Sequence, residues 1–126
     1  MVLRLQTMLR GNSGVREATL RQMEFFLNND PHPVVPSQGS VGACGDLAPL
    51  AHLALSLIGE GKVELNGRIL PTHQALEKLG RQPLSPEPKE GLSLINGTQV
   101  MTAIGLLACE TTANLLCTAD ITLCVS

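Results

Sequence analysis

A long apolar pattern near the carboxyl-terminal end limits the fold of this chain more than any other feature. From about residue 98 to residue 123 the sequence is apolar on most sides when it is drawn as a helix. A helix of this kind is buried by several neighbours. Because a chain of 126 residues has few other elements to cover it, the pattern predicts a mainly α protein whose long buried helix belongs within a larger assembly.

Shorter helices are predicted before this segment. Apolar spacing favours a helix over 2–10, which Gly11 ends. Residues 30–45 are rich in glycine and proline and indicate an irregular loop. Three polar residues stand where side chains commonly cap a helix: Ser13 before a helix at about 15–27, Asp46 before one that runs to 58, and Thr72 before one that runs to 79.

A small β-hairpin is predicted over residues 62–70. Asn66 and Gly67 both tolerate the positive φ that a two-residue hairpin turn requires, and strand-like runs flank them. We expect this two-stranded ribbon to be peripheral. Several prolines then mark an extended connector over 81–91.

Composition excludes several classes of function. The net charge is −2 and no basic stripe is present, so we expect neither nucleic acid nor a membrane as a partner. No run approaches the roughly 18 uninterrupted apolar residues of a membrane span. A small molecule or another copy of the chain is the expected partner. No secretory signal follows Met1, and the cysteines form no CxxC pair, which predicts reduced thiols and a cytoplasmic protein.

Metal binding and histidine catalysis are not indicated. The four cysteines have no histidine at metal-ligand spacing, so no metal is expected. Cys117 and Cys124 fall on one helix face and are interpreted as buried apolar groups. His52 is interpreted as structural, whereas His32 and His73 receive no role.

The tripeptide Ala43-Cys44-Gly45 can react with its own backbone. Gly45 lacks a Cβ and can enter the strained conformation in which its nitrogen attacks the Ala43 carbonyl. Ring closure with loss of water, followed by loss of a leaving group from residue 44, gives a conjugated methylidene-imidazolone. This group accepts electrons, which none of the twenty side chains does well. The ordinary alternative is a tight turn or an anion site before a helix.

Cys44 leaves two chemical outcomes open. Cysteine that loses hydrogen sulfide leaves the same dehydroalanine skeleton that serine leaves by losing water. Alternatively, the thiol persists as a thiolate stabilised by a helix N-terminus, and the chain is an enzyme with a cysteine nucleophile. Against this second outcome, no His–Asp pair is visibly placed to activate the thiol.

Three sequence blocks resemble the aromatic amino-acid ammonia-lyases, most closely the histidine ammonia-lyase branch of that family. GSVGACGDLAPLAH at residues 39–52 is similar to the main family signature, which has serine at the position of Cys44. EGLSLINGTQ at residues 90–99 resembles a second signature. Residues 4–16 resemble a third, with Gln6 where asparagine is usual. The blocks follow the family's order and cover nearly the whole chain.

The resemblance implies a fragment of the helical ammonia-lyase fold, in which residues 1–126 form one partial domain with an active-site loop at 30–45. It implies that Ala43, Cys44 and Gly45 form a 4-methylidene-imidazol-5-one group. The implied reaction is non-oxidative elimination of ammonia from L-histidine to give trans-urocanate. The full-length family members are homotetramers, which implies a homo-oligomer here.

The resemblance also implies a substrate-binding role for Asn96, on the amino-acid end of the substrate. An ordinary turn and helix cap is the alternative for this residue. The family uses tyrosines as acid and base, and this chain contains none. We therefore expect the isolated chain to be inactive. A non-catalytic assembly or binding subunit derived from an ammonia-lyase is the alternative function.

Overall fold

The computed structural model describes residues 1–41 and 46–125. The helices in this part of the chain are α1 (Val2–Leu9), α2 (Glu17–Asn29), α3 (Leu47–Leu57), α4 (Thr72–Lys78), α5 (Glu90–Ile95) and α6 (Gln99–Val125). The strands are β1 (His32–Pro33), β2 (Lys62–Leu65) and β3 (Arg68–Pro71). The prediction of a mainly α chain with a small sheet is confirmed.

The strands form an antiparallel sheet in the order β1-β2-β3. β2 and β3 make the predicted hairpin, and Asn66 and Gly67 at its turn have φ values of 52° and 74°. The prediction of two strands was wrong, because β1 adds a third strand by pairing with β2. The ribbon is also not peripheral, since Val63 of β2 is fully buried in the core.

One hydrophobic core joins α1 to α5 and the sheet. α1 packs on α2, α3 packs on α5, and α4 contacts both strands of the hairpin. The hydrophobic side chains of this core are aliphatic or methionine apart from one phenylalanine, as expected for a chain with 2% aromatic residues. The core members are Met8, Met23, Phe26, Leu53, Leu57, Val63, Ala75, Leu76 and Leu94.

None of the three predicted side-chain caps is formed. α2 begins at Glu17, with Arg16 rather than Ser13 at its N-cap position. Thr72 is the first residue of α4 and not its cap, and its buried hydroxyl has no hydrogen-bond partner among the described residues. Asp46 does occupy the N-cap position of α3, but its carboxylate does not cap that helix. The carboxylate is instead engaged by groups outside α3, one of them far away in sequence.

The predicted end of the extended connector, at residue 91, was wrong. A short helix, α5, begins at Glu90 and was not predicted. Its first residue is fixed by side chains that lie more than 70 positions earlier in the sequence. A local pattern therefore gives no sign of this helix, because the contacts that hold it are tertiary.

The long helix α6 has 27 residues, and none of them is buried. The predicted helix is thus present, but the neighbours that would bury it are not within the described residues. Its exposed apolar side chains include Ile104, Leu107, Leu116 and Ile121. Cys117 and Cys124, expected to be buried, are exposed as well. The apolar side chains of α1 to α5 pack mainly against one another, so few of them are available to cover α6.

The segment Glu90–Val125 is, by length and composition, long and apolar enough to cross a membrane. Helices in the cores of water-soluble proteins meet the same criterion, so the finding is weak on its own. The expectation that the protein has no membrane partner stays a prediction.

Candidate active site

The carboxylate of Asp46 joins three separate parts of the chain. Its Oδ1 accepts a hydrogen bond from Ser40 Oγ at 2.7 Å, and its Oδ2 accepts one from the backbone N–H of Met101 at 2.8 Å. Asp46 itself is 1% exposed, whereas its two partners are exposed residues. Met101 is the third residue of α6, whose first N–H groups have no partner within the helix. Asp46 therefore ties the loop before α3 to the start of α6.

The predicted ring-forming residues Ala43, Cys44 and Gly45 lie outside the described residues. Ser40, three positions before Ala43, donates a hydrogen bond to Asp46, which directly follows Gly45. The ends of the segment 40–46 are thus held together through a buried carboxylate.

Asn96 lies in the short connection between α5 and α6. It is the C-cap residue of α5, with φ −87° and ψ 101°, and its backbone N–H donates to the Leu92 carbonyl oxygen. Its side chain is exposed and has no hydrogen-bond partner among the described residues. Since Met101 follows five positions later, the residue that Asp46 holds and the predicted substrate ligand belong to the same end of α6.

Arg4 is a buried residue that sequence reasoning did not single out. It is 3% exposed, and its guanidinium donates to the carbonyl oxygens of Ser93 and Leu94 and to Oε1 of Gln99. Burial lowers the pKa of this guanidinium. In the sequence, Arg4 is the first residue of the third family-like block, whereas Asn96 lies in the second. The place of Arg4 in that third block was the signal that could have identified it.

A second polar cluster surrounds Glu90 at the start of α5. The carboxylate accepts hydrogen bonds from the Arg16 guanidinium at 2.8 and 3.2 Å, from the Arg16 backbone N–H at 2.9 Å and from Thr19 Oγ1 at 2.7 Å. The backbone N–H of Glu87 donates to it as well, at 2.8 Å. The hydrogen bond from Arg16 is the main cause that lowers the pKa of Glu90 from 4.5 to about 2, against the opposing effect of its burial.

The histidines take no part in either cluster. His52 lies on α3, His32 in β1 and His73 in α4, and all three are exposed in this chain. In the described ranges, no group of three or more side chains is placed to hold a metal ion.

The fold and these clusters define the class of protein. The chain matches the family profile of the aromatic amino acid lyases over residues 1–126, and it belongs to that family. It is similar to the histidine ammonia-lyase of Geobacillus kaustophilus (strain HTA426), with 58% identity over 108 residues, which are 86% of this chain and 21% of that protein.

Solved structures give the same result for the fold. A histidine ammonia-lyase from Trypanosoma cruzi superposes with a TM-score of 0.77 at 40% identity, over 82% of this chain and 20% of that one. A phenylalanine aminomutase from Pantoea agglomerans superposes with a TM-score of 0.84 at 36% identity, over 91% and 22%. The chain therefore has part of the helical ammonia-lyase fold, as expected, and spans about a fifth of the length of the curated relatives it matches.

Proposed function

We propose that this chain supplies part of an enzyme that eliminates ammonia from L-histidine without oxidation, giving trans-urocanate. Membership of the aromatic amino acid lyases and the 58% identity to a protein named histidine ammonia-lyase support the reaction class and the choice of substrate. We propose further that the complete protein is a cytoplasmic homotetramer.

The observation that carries this proposal is the position of Asp46. One buried carboxylate holds Ser40, which precedes the ring-forming tripeptide, and Met101, which follows the Asn96 connection. The residue that follows the tripeptide and a residue five positions after Asn96, 55 residues apart in the chain, are thereby brought to one place. An enzyme that both forms an electrophile from one block and binds substrate with the other requires this proximity.

The residues present fit a methylidene-imidazolone group. The nitrogen of Gly45 attacks the carbonyl carbon of Ala43, the ring loses one water, and Cys44 loses one hydrogen sulfide to leave a carbon–carbon double bond. The Ser40–Asp46 hydrogen bond supports the fit because it draws together the ends of the segment that must bend. When formed, the group supplies an electrophilic carbon that withdraws electrons from the bound amino acid.

Asn96 is proposed to bind the amino-acid end of the substrate. Its side chain is exposed, and within the described part of the chain it makes no hydrogen bond that a substrate would have to replace. An amide side chain offers both a donor and an acceptor, which suits an amino acid that carries both charges.

Peptide mapping of the complete gene product tests the proposal directly. We expect the peptide that contains residues 39–50 to be lighter than its sequence by one water plus one hydrogen sulfide, and the protein to release ammonia from L-histidine faster than from L-phenylalanine or L-tyrosine. An unmodified, alkylatable Cys44 together with absent ammonia release would contradict it.

Asp46→Asn sharpens this test. The neutral amide keeps the shape of the carboxylate but loses its charge and one acceptor oxygen, so both hydrogen bonds lose their charge assistance and the one to Ser40 survives only with its direction reversed. We expect the modified fraction of the mapped peptide to fall severalfold, while exposed Asp30→Asn serves as the matched control and leaves it unchanged. Full modification in Asp46→Asn would show that the carboxylate does not support ring closure.

A non-catalytic assembly subunit is the second candidate function. The exposure of most of α6 after its half-buried first turn favours it, because this part of the helix is available to pack against other chains. Co-purification of the chain with a full-length ammonia-lyase from the same organism is expected under this alternative. A monomer that binds no such enzyme would count against it.

A further inference from the structure

We infer that Arg4 is a positioning residue for Asn96: its guanidinium sets the separation between the end of α5 and the start of α6, and so fixes the connection that carries Asn96. This inference rests on the proposed substrate-binding role of Asn96. Nothing in that role by itself assigns a function to Arg4, which lies more than 90 residues earlier in the chain.

The contacts of Arg4 bracket Asn96 on both sides. Nε donates to the Leu94 carbonyl oxygen at 3.2 Å, and Nη2 donates to that of Ser93, so two donors hold the last turn of α5. Nη1 donates to Oε1 of Gln99, the first residue of α6, at 2.9 Å. A planar guanidinium fixes the relative positions of its three acceptors more rigidly than an ammonium group does.

Gly97 shows how closely this bridge approaches the connection. A Cβ at position 97 would overlap with Nη1 of Arg4 and with Oε1 of Gln99. The Arg4–Gln99 hydrogen bond therefore passes directly over the backbone of the residue after Asn96. Gln99 is itself held from its other side, because its Nε2 donates to Thr7 Oγ1 at 3.3 Å.

The chemistry of the acceptors argues that Arg4 does more than fill the core. Among the described residues Arg4 forms no salt bridge, and only neutral oxygens accept its hydrogen bonds. Burial of a cation without a carboxylate is costly. The carbonyl end of a helix offsets part of that cost. An apolar side chain of similar size would fill this space without the cost, but it would leave the connection at Asn96 unbraced.

A double-mutant cycle in the complete gene product tests the inference. We expect Arg4→Met to lower kcat/KM for L-histidine by about tenfold or more in the parent protein, but by less than about twofold when Asn96 has already been replaced by alanine. Arg10→Met is the matched control, since Arg10 is exposed at the end of the same helix, and it should leave kcat/KM unchanged. Equal losses from Arg4→Met in both backgrounds would overturn the inference.

Two further variants keep the test decisive if Arg4→Met folds poorly. Arg4→Lys retains the charge but cannot span all three acceptors, so we expect only partial rescue of kcat/KM. Gln99→Met removes the acceptor on α6 together with the Gln99–Thr7 hydrogen bond but keeps both acceptors on α5, and it should give a smaller loss with the same dependence on Asn96. Full activity in both variants would contradict a bracing role for the guanidinium.

Amide hydrogen exchange separates this inference from the proposed function. Arg4→Met should accelerate exchange in peptides that cover residues 93–99, relative to Arg10→Met, whether or not the protein releases ammonia. If the parent protein has no activity on any aromatic amino acid, the proposed function fails while the bracing of the connection is still measured. Unchanged exchange over 93–99 would overturn the bracing itself.

Discussion

The two ends of α5 are both anchored by buried charged side chains, but in different ways. At its first residue, the Glu90 carboxylate is paired with the Arg16 guanidinium. At its last turn, the Arg4 guanidinium binds only carbonyl oxygens and an amide oxygen. Both arrangements agree with the helix dipole, which favours an acid at the start and a cation at the end. A helix of six residues cannot hold itself, so its position depends on these tertiary anchors.

The anchors at the two ends differ in their sensitivity to pH and salt. The start of α5 depends on a group that titrates, and the side chain of Arg16 is 44% exposed to water and salt. The end of α5 depends on an arginine that stays charged at every pH a protein tolerates. The end nearer to Asn96 is therefore the one that is insensitive to acid.

Glu90→Ala should have the largest effect on this comparison. It removes the acceptor of hydrogen bonds from Arg16, Thr19 and Glu87, and leaves the buried Thr19 hydroxyl without that partner. We expect the complete protein to lose about 3 kcal/mol in free energy of unfolding, measured by urea denaturation. Exposed Glu64→Ala is the control and should change stability by less than about 0.5 kcal/mol. A comparably small loss in Glu90→Ala would show that the start of α5 is not anchored by this carboxylate.

Gly97→Ala should have the next largest effect, and at the other end. The added Cβ displaces the Arg4–Gln99 hydrogen bond while the Glu90 cluster stays intact. We expect a loss of about 1–3 kcal/mol in free energy of unfolding, and faster amide exchange confined to the α5–α6 connection. Gly91→Ala provides the control, because a Cβ at position 91 meets nothing within 4 Å. If amide exchange increased equally at both ends of α5, the two ends would not be anchored independently.

The smallest effect is expected from acid. The pKa of Glu90 is about 2 in the folded chain against 4.5 for the unperturbed group, so the folded state binds the proton less tightly. The stability that this carboxylate contributes is present above pH 4.5 and is lost as the pH falls from 4.5 towards 2. Stability measured against pH should fall less steeply over this range in Glu90→Gln than in the parent protein. Parallel curves would mean that Glu90 is not the group responsible.

Structural features could be predicted where neighbouring residues in the sequence determine them. Asn66-Gly67 specifies a hairpin turn through its own backbone preferences, and the hairpin is present. Apolar spacing likewise located α1 and α6. The role of Asp46 and the position of α5 were not predictable in this way, because each depends on a polar partner far along the chain. Asp46 binds Met101 and not its own helix, and Glu90 binds Arg16 from 74 residues away.

The residues of the candidate site also differ in whether the sequence alone could identify them. Ala43, Cys44, Gly45 and Asn96 were found because their positions match family motifs, with cysteine at 44 where the family has serine, and their roles stay predictions. Arg4 also lies in a family-like block, but that block does not indicate what Arg4 contributes. That contribution depends on three acceptors that come together only when α1, α5 and α6 are folded.

The bare surface of α6 has a practical consequence for anyone who handles this sequence. Expressed by itself, the chain would carry a rod of apolar side chains about 40 Å long into water, at the 1.5 Å rise per residue of an α-helix. Such surfaces associate with one another at ordinary protein concentrations. Aggregation of the isolated chain would then reflect the exposed apolar surface of α6. It would give no information about the chemistry of the loop that precedes α3.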